Sequence, residues 1–188
     1  MEERNQILRE KLGTLYKCNV AAAVCLVLAF IPLVNLVAVF IALGAAVVVF
    51  FTMLKLKDVH DDYHTAFMLS IMNVALKLIG GMVGDGFDAI VEVISAAVTF
   101  AQSYFMIRGT NSLLQEVERY EVVARGEKTI KLYFASLAIA IATAVVGVPW
   151  WGRNAAWIAL AVSVASLVIS VWAMISYIKY LGAAKDCF

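Results

Sequence analysis

Seven residues in this chain have the types and spacing to do chemistry: Asn73, Lys77, Asp88, Glu92, Ser95, Thr99 and Gln102. Asp88, Glu92, Ser95, Thr99 and Gln102 follow at spacings of four, three, four and three. On a helix that places them within about an 80° arc of one face. Asn73 and Lys77 lie one turn apart on the preceding apolar stretch, and Ser70 and Gly81 share their face. If the two stretches fold back about Asp85, depth pairs Lys77 with Glu92, Asn73 with Ser95, and Ser70 with Thr99. A charged side chain at membrane depth costs about 3 kcal/mol or more, so such groups face protein or water and mark a site.

The chemistry this seam predicts is binding or passage. Asp88 and Glu92 would attract a cation or proton. Lys77 would pair with Glu92 or hold an anionic group of a solute. Asn73, Ser95, Thr99 and Gln102 would offer hydrogen bonds deeper in. The competing reading is glue, because Ser and Thr also join membrane helices by hydrogen bonding and close packing. Two acids against one base leave a surplus acid after self-neutralisation, which favours a pathway.

His60, Asp61 and His64 form a second constellation. Two His four apart share a helical face, and divalent metal ligation by the three is conceivable. The pattern lacks the internal Glu of a zincin, so no metal site is predicted; capping of the next helix by Asp61 or Asp62 is the competing reading. Cys18, Cys25 and Cys187 show no CxxC and no metal-ligand spacing. The glycines from Gly80 to Gly86 lack the context of a phosphate loop. No nucleophile accompanies Asp88 and Glu92. Neither an enzymatic activity nor a cofactor is therefore expected.

The elements that must carry these residues are membrane helices. Of 188 residues, 63% are hydrophobic and 15% charged, against roughly 25% charged in soluble domains. Mean hydropathy is +0.88. A net charge of +1 gives no footing for nucleic acid. A bilayer crossing needs roughly 20 apolar residues. The uncharged run 18–54 predicts two short helices with a turn at 31–36, around Pro32 and Asn35. Further spans are expected at 65–83, 87–107, 130–148 and 155–180, turning at 84–86 and 149–152.

The expected fold is thus an all-α integral membrane protein of six spans in three tandem hairpins. An amphipathic segment, 1–17, precedes the first two hairpins, 18–107. A cytoplasmic amphipathic connector, 108–129, precedes the third, 130–180, and a tail, 181–188, follows. Within the connector, residues 111–126 are expected to form one helix, with a capping box at Ser112 and Gln115 and a stop at Gly126. Lys and Arg concentrate in the termini and in every second connection, which places both termini in the cytoplasm and the chain in the plasma (inner) membrane. The expected function is a transporter or channel component for a small polar or cationic solute, or for protons. The alternative is a scaffold or regulatory subunit docking a partner on the connector helix. Expected partners are the lipid bilayer, a small solute or ion, and a second copy or a membrane complex.

Overall fold

A computed structural model describes residues 2–28, 32–83, 88–146 and 155–188. Among them lie six helices and no strand: α1 (Glu2–Leu28), α2 (Pro32–Leu56), α3 (Asp61–Val83), α4 (Asp88–Glu116), α5 (Tyr120–Val146) and α6 (Ala155–Lys185). Long apolar runs with few interior breakers favour helix throughout. The expected turn residue Pro32 is instead the first residue of α2, where its fixed φ suits a helix start and its missing N–H costs nothing. The expected turns at 84–86 and 149–152 lie outside the described residues.

Residues 2–17 form no separate element. They continue without a break into α1, which is 27 residues long. Two stretches, Glu3–Leu28 and Leu160–Lys185, are long and apolar enough to cross a membrane, and Phe40–Leu56 is a shorter apolar helix.

Each helix packs against its neighbours in the chain, and α1 also packs against α6. The bundle is therefore a ring in chain order. At the closure, the Lys185 ammonium sits 4.9 Å from the centre of the Tyr16 ring, and Tyr16 lies against Gly182. The helices alternate in direction, so both termini lie at one end, the base.

The buried core sits at that base. It joins Leu8, Leu12 and Leu15 of α1 to Met53 and Leu56 of α2, Tyr63 and Phe67 of α3, Ile107 and Leu114 of α4, Val123 of α5, and Tyr180 and Leu181 of α6. The spacing of Leu8, Leu12 and Leu15 gives α1 its inward stripe. Farther from the base the helices leave large apolar side chains uncovered: Val27 is 68% exposed, Leu78 66% and Trp157 76%.

Polar groups within the core are satisfied. The Tyr180 hydroxyl donates to Asn111 Oδ1 at 2.8 Å, and the hydroxyls of Tyr63 and Thr110 bond at 2.9 Å. Burial holds the Tyr63 hydroxyl protonated far above its ordinary range.

The expected connector helix is absent as one element. Residues 111–126 hold the end of α4, a tight turn and the start of α5. Ser112 bonds back to the Arg108 carbonyl at 3.1 Å rather than forming a capping box. The stop comes at Glu118, which takes φ 57°. Arg119 N–H donates to the Leu114 carbonyl at 2.9 Å and Glu118 N–H to that of Gln115 at 3.1 Å, the two bonds of a Schellman cap. Glycine usually occupies the left-handed position; here glutamate does. Gly126 instead lies within α5, and a Cβ there would fall 2.5 Å from Asn111 Oδ1 and 2.9 Å from Tyr180 Cε2. Its role is close approach of α5 to α4 and α6.

Gly126→Ala is expected to destabilise the protein by about 1–3 kcal/mol, because the methyl group would displace the hydrogen-bonded Asn111 and Tyr180 side chains. Glu118→Gly is expected to stabilise it by about 1 kcal/mol, by relieving the left-handed strain. Chemical unfolding of the full chain in detergent micelles measures both; wild-type stability in the first variant would refute the close approach.

Candidate functional site

The seam residues sit on α3 and α4 above the base. α4 carries Ser95, Thr99 and Gln102 on one face because its polar residues recur at helical spacing. α3 turns Asn73 towards them. The Asn73 side chain meets Ser95, its partner expected from depth, and also Thr99, which depth pairs with Ser70: Ser95 Oγ donates to Asn73 Oδ1 at 2.7 Å, and Asn73 Nδ2 donates to Thr99 Oγ1 at 3.0 Å. The Thr99 hydroxyl then donates to the Ser95 carbonyl at 2.8 Å. These direct contacts tie α3 to α4 in a hydrogen-bonded knot at this level.

Open space lies on either side of the knot. A cavity of about 300 Å³ is lined by Cys18 and Asn19 of α1, Ala45 and Phe50 of α2, Ser70, Asn73 and Lys77 of α3, and Gln102 of α4. Gln102 Nε2 reaches Met53 Sδ at 3.6 Å, a weak acceptor that leaves the amide available. Asn19 Nδ2 donates to the Leu15 carbonyl at 2.8 Å, and its carbonyl oxygen remains an acceptor. A second cavity, about 310 Å³, is lined by Ser95, Thr99 and Phe100 of α4, Tyr133 and Ser136 of α5, and Ser170 of α6. Ser136 and Ser170 hydroxyls bond across it at 3.0 Å.

The seven predicted residues therefore separate into groups. Asn73, Ser95 and Thr99 come together. Lys77 and Gln102 share the first cavity with Asn73. Asp88 and Glu92 stand in the first turns of α4, but their side chains, and with them the expected Lys77–Glu92 pair, lie outside the described residues. Asn19, within the uncharged run 18–54, also lines the first cavity beside Cys18 but is not among the seven residues. The signal was there: Asn19 is the one side-chain amide in residues 18–34.

His60, Asp61 and His64 do not converge. No group of three or more His, Cys, Asp or Glu side chains that could hold a metal occurs among the described residues. His60 itself caps α3: its Nδ1 accepts the Asp62 N–H at 3.1 Å, and its carbonyl accepts the Tyr63 N–H at 3.0 Å. Asp61 and Asp62, expected as caps, occupy the first turn, where negative charge suits the helix dipole. Asp62 also faces Arg108 of α4 at 3.5 Å.

A double-mutant cycle of Asn73→Leu and Ser95→Ala is expected to give a coupling of about 0.6 kcal/mol, with about 1.7 kcal/mol as the upper end for membrane helices. Additive effects in micelle unfolding would show that the knot contributes nothing to the pairing of α3 with α4.

No protein-family model, curated protein or solved structure matches this chain.

Proposed function

We propose that the chain is a six-span integral membrane protein of the plasma (inner) membrane that holds a small polar solute in the α1–α4 cavity, as a transporter or channel component. The convergence of Asn19, Ser70, Asn73, Lys77 and Gln102 on that one cavity carries the reading. Ligand sites are concave and mostly apolar, with a few polar groups fixing orientation, and this cavity has that make-up. Lys77 supplies a cationic group, and the Asn19 and Gln102 amides supply acceptors and donors beside the Asn73 side chain already bonded to Ser95 and Thr99. A solute with an anionic or acceptor group next to a hydrogen-bonding body fits them.

Three observations support embedding in a bilayer. Large apolar side chains such as Phe40, Leu43, Leu167 and Trp172 are exposed along the upper bundle, and a water-soluble monomer rarely leaves so extended an apolar surface uncovered. Two helices have the length and composition to cross. Arg9, Lys55, Arg108, Arg125 and Lys179 all belong to the base half of their helices, the distribution expected of a cytoplasmic side. In this arrangement the α1/α2, α3/α4 and α5/α6 pairs are three tandem hairpins with cytoplasmic termini.

The scaffold alternative has less support. Its docking helix would be residues 111–126, yet Leu113, Leu114 and Val123 of that stretch are buried in the protein's own core.

Cys18 offers a test that leaves the cavity intact. In a Cys25→Ala, Cys187→Ala background, a polar maleimide is expected to label Cys18 in the folded protein. Labelling should be at least tenfold faster than at a Val164→Cys introduced on the apolar face in a Cys18→Ala background. A small carboxylate or amino acid that raises thermal stability should slow that labelling, and Lys77→Met should abolish the protection. A Cys18 that never reacts would mean a dry cavity and sink the proposal.

A further inference from the structure

A second recess lies between the base ends of α5 and α6. It measures about 260 Å³ and is lined by Arg125, Lys128 and Thr129 of α5 and by Ser176, Lys179 and Tyr180 of α6. No carboxylate lines it. Among the described residues none of Arg125, Lys128 and Lys179 takes part in an ion pair, whereas Arg4 pairs with Glu116 and Arg108 with Asp62 at the same end of the bundle.

Three cations held around one recess repel one another, and an anion between them removes that repulsion. The hydroxyl protons of two lining residues are already committed. Thr129 Oγ1 donates to the Arg125 carbonyl at 2.9 Å, and Tyr180 donates to Asn111. Ser176 has no hydrogen-bond partner among the described residues and keeps its proton for a ligand. The recess therefore offers a guanidinium, two ammonium groups and one hydroxyl, all donors. A tetrahedral oxyanion with several acceptor oxygens fits that set.

The surroundings indicate what else the ligand carries. One turn farther from the base, Tyr133 and Tyr177 stack edge to face with ring centres 6.0 Å apart. Beyond them the α5/α6 surface is apolar and open, with Phe134, Trp172 and Ile175 exposed. Cations, then tyrosines, then bare apolar surface is the order of a membrane interface read from the cytoplasm inward. We propose that this recess is a phosphoryl-binding site, occupied by the head group of an anionic phospholipid whose acyl chains lie along α5 and α6. The site is separate from the α1–α4 cavity; its lipid occupant rests on the membrane reading above, and its recognition of phosphate does not.

The test uses the full chain in neutral detergent micelles, doped with phosphatidylglycerol or with phosphatidylcholine, or supplemented with glycerol phosphate. Apparent affinity is read from the thermal shift. Phosphatidylglycerol is expected to raise the melting temperature where phosphatidylcholine does not. Lys179→Gln and Lys128→Gln should each weaken the effect roughly fivefold, as about 1 kcal/mol per interfacial cation implies. Lys179→Arg should retain it, which separates lost charge from lost folding. Arg9→Gln, the same loss of charge at the base away from the recess, should change affinity less than twofold. A shift with glycerol phosphate, lost in the same variants, establishes phosphoryl recognition without a lipid tail. A shift with phosphatidylglycerol alone assigns the lipid. Equal weakening by Arg9→Gln, or no shift with either phosphate compound, overturns the site. Because the Cys18 labelling test does not involve this recess, failure of one experiment leaves the other standing.

Discussion

The hydroxyl of Tyr180 fixes the geometry on which the rest of the bundle depends. It donates to Asn111 at 2.8 Å and lies within 3.3 Å of the Ile107 carbonyl. One side chain of α6 thereby holds the last turns of α4. Gly126 lets α5 close onto the same point. In a buried setting a polar contact of this kind tolerates few alternatives, because an unmade bond leaves a desolvated group without a partner. Apolar packing alone would allow α5 and α6 to slide along α4. The Tyr180–Asn111 bond defines a register, and the Tyr63–Thr110 bond does the same for α3 against α4. Three of the six helices are thus pinned at one end by hydrogen bonds, α5 joins them through the close approach at Gly126, and the ring closes through α1 and α2.

On the membrane reading proposed above, the bundle would divide between two solvents. At the base the helices pack like a soluble core, with leucines and tyrosines fully covered. Above it, side chains of the same types stand exposed. Burial in water and burial in lipid draw on different forces: the hydrophobic effect assembles the base, whereas lipid tails are as apolar as leucine and give no such drive between helices. The upper bundle needs polar contacts instead, and it has them in Asn73–Ser95, Asn73–Thr99 and Ser136–Ser170.

Much of the frame was legible in the sequence, and the reasons differ from element to element. Six helices stand where the hydropathy places six apolar segments. Asn73 opposite Ser95 follows from counting outward from Asp85, since rise per residue is fixed and a hairpin has one register. The connector failed because amphipathic periodicity reads the same for a surface helix and for two helix ends packed in a core. The break at Glu118 carries no sequence signal, as the left-handed residue is neither Gly nor Asn. Gly126 looked like a stop because helix-ending glycine is common; its actual partners, Asn111 and Tyr180, are tertiary. His60 was set beside its neighbours as a possible ligand when its nearer role is to cap α3, a contact two residues away that spacing alone does not rank. Lys77, Asn73 and Gln102 stand out in the sequence by charge or by helical spacing, whereas Asn19 is a single amide averaged out within an apolar run.

The knot at Asn73 has a consequence for how any solute could cross. Its Oδ1 and Nδ2 are spent on Ser95 and Thr99, while Asn73 also borders the α1–α4 cavity and its two partners border the cavity of α4–α6. The three side chains therefore form a partition between two recesses rather than the wall of one pore. Hydrogen bonds between membrane helices contribute on the order of 0.6 kcal/mol each, so opening two of them lies within what a bound solute can offset. A continuous water-filled channel would have no use for such a partition, since it would block conduction. A protein that holds its solute on one side before releasing it to the other requires a barrier of this modest size. If the cavity holds a solute as proposed, a barrier of this size at Asn73 would suit a transporter better than a channel.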